Sequence, residues 1–78
     1  MTEEDIHKIC KKYNINKFGD YTINKDGSID VDSHVDLGGF GLKRIPLKFN
    51  IVSGFFYCDR NNLTSLEGCP KTFAKIKF

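Results

Sequence analysis

A spacing of about 21 residues between apolar positions is the feature that most constrains the fold of this chain. Aligned on itself, the second half of the sequence matches four apolar positions with four others: Val35, Leu37, Leu42 and Ile45 with Phe56, Cys58, Leu63 and Leu66. Ile76 and Phe78 then repeat the first pair of positions at nearly the same spacing. A period of this length is typical of successive coils that stack side by side and bury equivalent side chains. The spacing therefore predicts about two and a half coils between positions 35 and 78.

The second coil has an asparagine where a short strand must turn. The stretch from Phe56 to Leu63 fits L-x-L-x-x-N-x-L, with Cys58 in an apolar position and Asn61 in the asparagine position. In this pattern two strand side chains point inward, the amide satisfies backbone groups at the turn, and a leucine closes the coil. In the first coil Phe40 occupies the asparagine position, which indicates an irregular repeat beside a cap. We therefore predict a short leucine-rich-repeat-like β-solenoid.

The first residues predict a helix. Thr2 followed by Asp5 resembles a capping box, which favours a helix from about Glu3 to Tyr13. Four apolar residues follow the three-and-four spacing of one helix face: Ile6, Ile9, Cys10 and Tyr13. Asn14 is a suitable residue for ending the helix, because asparagine tolerates the left-handed conformation common after a last turn.

A β-hairpin is predicted next. Tyr21–Ile23 and Ser28–Val31 are β-favouring runs, and the residues between them include Gly27, which can adopt a positive φ. The expected architecture is α+β, with one domain over residues 1–78. Within it, residues 1–19 form the helix and a linker, residues 20–34 a hairpin cap, and residues 35–78 the repeats.

Composition places the chain among ordinary globular proteins, with a formal net charge of +2 and 40% hydrophobic residues. The acidic start differs from a signal peptide, and no stretch is apolar enough to cross a membrane, so we expect a cytoplasmic protein. The odd number of cysteines, three, predicts reduced thiols packed in the interior instead of a disulfide framework.

Catalytic and metal sites are not predicted. Residues 22–33 imitate a calcium-binding loop, but Thr22 and Ser33 stand where calcium needs its first and last acidic ligands, so a hairpin turn is favoured. No two cysteines and no two histidines have the spacing of a structural zinc site. The glycine cluster Gly38–Gly41 precedes no predicted helix that could bind phosphate. We therefore expect no enzyme activity, no cofactor and no metal.

The chain from about Tyr21 onward resembles the small leucine-rich-repeat-like proteins encoded by tailed bacteriophages. The resemblance runs through polar turn residues as well as apolar ones, notably in Tyr21–Asp32, Ile45–Phe49 and Asn62–Pro70, and covers about three quarters of the chain. It implies a protein that works in the host cytoplasm by binding and inhibiting or redirecting a host enzyme or defence complex, as an anti-CRISPR-type inhibitor does. It supplies no catalytic residues.

The strand face that points outward is the predicted binding surface, because solenoids commonly bind through it. Its expected contact residues alternate with the inward ones or flank them: Asp36, Phe55, Tyr57, Asp59 and Lys77. Exposed aromatic rings would supply contact area at low entropic cost. The alternative is that the helix or a loop folds over these rings.

The last strand is expected to leave an open edge carrying Ile76 and Phe78, which could pair with a second copy in a homodimer or with a target.

The alternative function belongs to a different class: a nucleic-acid-binding module that uses the basic C-terminal half. Its candidate cations are Lys43, Arg44, Lys48, Arg60, Lys71, Lys75 and Lys77. The low net charge and the lack of a recognised motif argue against it.

Overall fold

The structure, a computed structural model that describes residues Met1–Phe78, contains one helix and two three-stranded sheets. The elements in chain order are α1 (Glu3–Lys12), β1 (Tyr21–Ile23), β2 (Ile29–Val31), β3 (Val35–Asp36), β4 (Phe49–Val52), β5 (Phe55–Tyr57) and β6 (Lys75–Lys77). One sheet has the strand order β1-β2-β4 and the other β3-β5-β6. The predicted α+β class is confirmed.

Helix α1 begins with the predicted capping box. Thr2 Oγ1 accepts a hydrogen bond from Asp5 N–H at 3.2 Å, and the Asp5 carboxylate accepts one from Thr2 N–H at 3.1 Å. This second bond lowers the pKa of Asp5, because it stabilises the carboxylate. The helix ends at Lys12, one position earlier than predicted, and Asn14 adopts the left-handed conformation with φ of 54°.

The predicted hairpin is present. β1 and β2 pair antiparallel, with Tyr21 opposite Val31 and Ile23 opposite Ile29. Gly27 has φ of 85° in the connection, a conformation that glycine adopts without strain. The segment that imitates a calcium-binding loop is therefore built mainly from two strands and the turn between them.

Parallel pairing at the repeat spacing of the sequence connects the rest of the chain. Val35 is the partner of Phe56, and Phe56 is the partner of Ile76, so the positions equated in the sequence lie beside one another. The same spacing occurs in the other sheet, where Val31 pairs with Val52. β4 was not predicted from the sequence, and β2 was predicted only as part of a cap. In the structure β2 is also the first strand of a parallel ladder.

The core consists of 13 buried apolar residues contributed by the helix, both sheets and the loops between them. The inward positions predicted on the first two repeat strands are all buried, and Ile76 is half-buried. Leu66 and Phe78, which the repeat spacing matches with the buried Ile45 and Cys58, are 54% and 62% exposed. No strand pairs with the outer side of β6, so the side chain of Phe78 lies at an open edge of the sheet.

The three cysteines are free, with Cys10 and Cys58 buried and Cys69 half-buried. Burial raises the pKa of all three thiols, because it disfavours the charged thiolate. The thiols of Cys10 and Cys58 are packed in the interior, as predicted. Helix α1 is too short and too polar to cross a membrane, and it is the only helix.

Candidate functional site

One face of the β3-β5-β6 sheet is exposed, and its strands position most of the predicted contact residues. Side chains alternate between the two faces of a strand. Because Val35 and Phe56 are buried, the residues next to them along β3 and β5 point to the opposite, outer face. In register across the three strands, Asp36 lies beside Tyr57 and Tyr57 beside Lys77, while Phe55 lies beside Lys75. We call the surface formed by these residues the outer sheet face; it comprises Asp36, Phe55, Tyr57, Lys75 and Lys77.

A row of aromatic rings runs across this face. Phe55 stacks on Tyr57 with ring centroids 5.5 Å apart and on His34 with centroids 4.5 Å apart. Phe18 extends the row through an edge contact with His34 at 5.9 Å. Stacked and edge-to-face rings stabilise one another beyond the area they bury. The result is a continuous aromatic strip, defined by Phe18, His34, Phe55 and Tyr57.

His34 is held in place by the backbone of β5. Its Nδ1 accepts a hydrogen bond from the Phe55 N–H at 2.8 Å, which requires the ring tautomer that leaves Nδ1 unprotonated. Gly54 makes this approach possible, because a Cβ atom there would collide with the His34 ring. His34 and Phe55 are one repeat spacing apart, so residues at this spacing are joined by a hydrogen bond from backbone to side chain as well as by strand pairing.

The aromatic strip is exposed, not covered. Phe55 is 38% exposed and Tyr57 is half-buried, and α1 packs on the core through Ile6 and Cys10 instead of over the rings. Phe18, which the sequence analysis did not identify, adds to the strip from the linker after α1. Helix α1 therefore does not lie over Phe55, whereas Tyr57 is partly covered.

Charges border the aromatic strip on both sides. Asp36 lies on one side, and Lys75 and Lys77 lie on the other. Asp59, a predicted contact residue, is only 18% exposed at its side chain and pairs with Lys77 at 3.8 Å and with Arg60 at 3.4 Å. Asp59 therefore anchors Lys77, whereas Lys75 has no carboxylate partner and is free for an external one.

The edge of the sheet next to this face is open. β6 is the last strand of its sheet, so one side of its backbone has no neighbour. Ile76 is half-buried beneath it and Phe78 follows in an exposed position. The two residues predicted for a self-association edge therefore lie at an edge that is unpaired in the structure.

Other candidate chemistry is weaker. No group of three histidine, cysteine or carboxylate side chains could hold a metal ion. The largest concavity is an open groove of about 580 Å³ between Arg44–Lys48 and Thr64–Gly68, and it shares no residue with the outer sheet face. It has cationic, acidic and hydroxyl side chains around it, without a nucleophile hydrogen-bonded to a base.

The basic residues of the C-terminal half are only partly available to a nucleic acid. Lys48 pairs with Asp26 at 3.3 Å, and Arg60 pairs with Asp59. Lys75 and Lys77 are the two that lie next to exposed aromatic rings.

Comparison with known proteins adds no family to these observations: no protein-family model, no curated protein and no solved structure matches the chain. The functional argument therefore rests on the outer sheet face and on the open edge of β6.

Proposed function

We propose that this chain is a non-catalytic protein-binding module that holds its partner on the outer sheet face. The observation that carries the proposal is the exposed aromatic strip on a hydrogen-bonded parallel sheet. Rings that already stack on one another lose little rotamer freedom when a partner covers them. Aromatic side chains with such low ordering costs are the residues that most often dominate the energy of a protein interface.

The charges around the strip suit a protein partner with its own charge pattern. Asp36 and the pair Lys75 and Lys77 carry opposite charges on opposite sides of Tyr57. A partner with the complementary arrangement would be oriented as it approached, since matched charges mainly improve association rate and specificity. Phe55 and Tyr57 therefore anchor the partner, and Asp36 and Lys77 orient it. Asp59 supports Lys77 through their ion pair.

We further propose that the architecture is a short leucine-rich-repeat-like solenoid, capped by the helix and hairpin. The parallel pairing at the repeat spacing supports this, and so do the hydrogen bonds of Asn61. The resemblance to small phage proteins suggests that the partner is a host enzyme or defence complex in the host cytoplasm. Inhibition or redirection of that partner is the corresponding biological role.

Nucleic-acid binding is the second candidate, and one observation favours it. Lys75 and Lys77 lie directly beside Phe55 and Tyr57, which is the combination of cations and stacking rings that binds single-stranded nucleic acids. The net charge of +2 and the carboxylate Asp36 on the same face favour a protein partner instead.

Affinity capture of the tagged protein from nuclease-treated bacterial host lysate tests the proposal. The test variant is Phe55→Ala/Tyr57→Ala, and its matched control is Ile51→Ala/Phe73→Ala. Phe73 is 39% exposed and Ile51 43%, close to the 38% of Phe55, but Ile51 lies in the other sheet. We expect one host complex to be retained by the wild type and the control, and its affinity for the test variant to fall at least about tenfold.

Two results would contradict this function. Retention that occurs from untreated lysate and is lost on nuclease treatment would establish nucleic-acid binding instead. Equal retention by the wild type and a correctly folded Phe55→Ala/Tyr57→Ala variant would show that the aromatic strip is not the binding surface. Folding of each variant is checked by its circular dichroism and its urea midpoint.

A further inference from the structure

The backbone of β6 presents unused hydrogen-bonding groups. The Lys77 carbonyl accepts a hydrogen bond from Cys58 N–H at 2.8 Å, so the polar groups of Lys77 face β5. The N–H and C=O groups of successive strand residues point to opposite edges, so those of Ile76 point away from β5. No strand lies on that side. Since backbone polar groups are obligatory hydrogen-bonding groups, this edge is suited to an added strand.

The side chains of β6 define what that strand must carry. Lys75 and Lys77 are exposed on the outer sheet face, while Ile76 points to the opposite face and is half-buried. A strand placed beside β6 would set its alternate side chains next to the two lysines and the intervening one next to Ile76. Acidic side chains suit the positions next to Lys75 and Lys77, and an apolar side chain suits the position next to Ile76.

We propose that the free edge of β6 binds an extended segment of the partner protein with an acidic–apolar–acidic pattern, which adds to the sheet as a fourth strand. This inference rests on the proposed protein-binding function and specifies the chemistry of the partner. One acidic side chain pairs with Lys75, and the other joins the exposed Lys77, which also contacts Asp59 at 3.8 Å. The backbone of the segment bonds to Ile76, and its apolar side chain covers Ile76 further. The same segment would lie next to the aromatic strip.

Charge makes a second copy of this chain the poorer occupant. Two identical edges related by a two-fold axis pair antiparallel, and centring that axis on Ile76 would set Lys75 opposite Lys77 of the other copy. Like charges directly opposite each other in a sheet are destabilising. A head-to-tail arrangement would need an open edge at β3. The linker after α1 lies along that edge, where Tyr13 contacts Phe40 and Phe18 contacts His34.

The chain also cannot supply the segment from an exposed strand of its own. Asp30-Val31-Asp32 is its one acidic–apolar–acidic stretch. Its β2 residues are already paired with β1 on one side and β4 on the other, and Val31 is buried. The segment therefore comes from another protein.

A peptide titration of the full chain tests the inference. The probe is an acetylated and amidated heptapeptide of sequence Ser-Glu-Val-Glu-Val-Glu-Ser, and the readout is the backbone amide spectrum by NMR up to millimolar peptide. We expect the Ile76 amide to shift and residues 75–78 to show slower hydrogen exchange. A peptide with Lys in place of each Glu is expected to cause neither change.

Backbone pairing is tested separately with two methylated peptides. One carries N-methyl groups on its Glu residues and the other on its Val residues, and only one set of amides can face β6. One peptide is expected to lose binding and the other to keep it, which also reports the direction of the added strand. Equal binding by both peptides would contradict strand addition.

A charge exchange completes the test. Lys75→Glu/Lys77→Glu should weaken binding of the acidic peptide by about tenfold and strengthen binding of the Lys peptide by a similar factor. The matched control is Lys25→Glu/Lys43→Glu, which changes the net charge equally at two exposed lysines without ion pairs. A similar loss in the control would show that net charge, not the β6 edge, attracts the peptide.

The inference is overturned if millimolar acidic peptide leaves the β6 amides unchanged. It is also overturned if the wild type sediments as a dimer that Ile76→Asp converts to a monomer, because the edge is then occupied by a second copy. The titration uses neither the host partner nor a change to the aromatic strip. Its failure therefore leaves the capture experiment on Phe55 and Tyr57 as an independent test of the proposed function.

Discussion

The Asn61 side chain joins the loop after β3 to the loop after β5. Its Oδ1 accepts hydrogen bonds from the N–H groups of Phe40 at 3.1 Å and Leu42 at 2.9 Å. Its Nδ2 donates to the carbonyls of Leu37 at 2.8 Å and Cys58 at 3.0 Å. These are backbone groups in turns, where no strand partner is present to satisfy them.

Replacing Asn61 by alanine should therefore be costly. Asn61→Ala leaves several half-buried backbone groups without partners, and we expect it to lower the free energy of unfolding by about 2 to 4 kcal/mol. Urea unfolding followed by circular dichroism measures the change. Asn62→Ala is the matched control, because Asn62 is exposed and its side chain makes no hydrogen bond; it should change stability by less than about 0.5 kcal/mol. Equal losses in the two variants would refute the bridging role.

Residue roles that follow a repeat were predictable from the sequence, and those set by the path of a loop were not. The role of Asn61 follows from its position in the L-x-L-x-x-N-x-L pattern. Phe18 lies in a linker without periodicity, so nothing in the sequence indicated that it would contact His34. The collision that excludes a side chain at Gly54 likewise depends on three-dimensional contact with His34.

The hairpin connection depends on a network around Asp26. Asp26 Oδ1 accepts hydrogen bonds from Ser28 Oγ at 2.6 Å and Ser28 N–H at 2.9 Å, and Oδ2 accepts one from Lys48 Nζ at 3.3 Å. The bonds from Ser28 lower the pKa of Asp26 well below its usual range, and Lys48 adds to the effect. Lys48 immediately precedes β4, so the network also connects the hairpin turn to the start of that strand.

This lowered pKa predicts a pH-dependent contribution to stability. The carboxylate form is favoured by folding, so its contribution is complete above the pKa of about 3.9 of an unfolded aspartate and is lost as the pH falls toward the folded pKa. The urea midpoint of Asp26→Asn should therefore lie below that of the wild type at about pH 7, and the difference should shrink at about pH 2.5.

The control for this prediction is Asp20→Asn, at an exposed aspartate whose carboxylate accepts no hydrogen bond in the structure. It should change the midpoint little at either pH. A difference between wild type and Asp26→Asn that stays constant between neutral and acidic pH would contradict the proposed network.

Elements with a local signal were predicted, and one with only a long-range signal was missed. α1 has a capping box and an apolar face, and β1 and β2 flank a glycine-containing turn. β4 has no such turn before it. Its pairing with β2 follows the same repeat spacing, from Val31 to Val52. The repeat recognised in the sequence starts at Val35, after β2, so it does not include this pair.

At the scale of the molecule, the side covered by α1 and the side next to β6 differ. α1 and its linker cover the first side, where Ile6, Cys10 and Ile15 are buried. On the second side three apolar side chains remain 39% to 62% exposed, those of Leu66, Phe73 and Phe78. The periodicity of the sequence predicted an open edge at Ile76 and Phe78. It did not predict the exposure of Leu66 and Phe73, because both residues lie in loops.

This asymmetry predicts a gradient of local stability along one ladder. Leu37 N–H donates to Tyr57 O at 2.7 Å, and Cys58 N–H donates to Lys77 O at 2.8 Å. Both donors are buried, and they follow the equivalent strands β3 and β5. They differ mainly in their acceptors, since Tyr57 lies in the central strand β5 and Lys77 in the edge strand β6. A strand is stabilised by its neighbours in the sheet, and β6 has a neighbour on one side only.

We therefore expect the Cys58 amide to exchange with solvent at least about tenfold faster than the Leu37 amide, as measured by native-state hydrogen exchange. Equal protection of the two amides would mean that β6 opens only when the whole chain unfolds, so the edge would be rigid before any partner arrives. Faster exchange at Cys58 that slows when the acidic peptide is added would instead show that strand addition orders β6. In that case part of the binding energy is used to order β6, which would keep the affinity of short segments low.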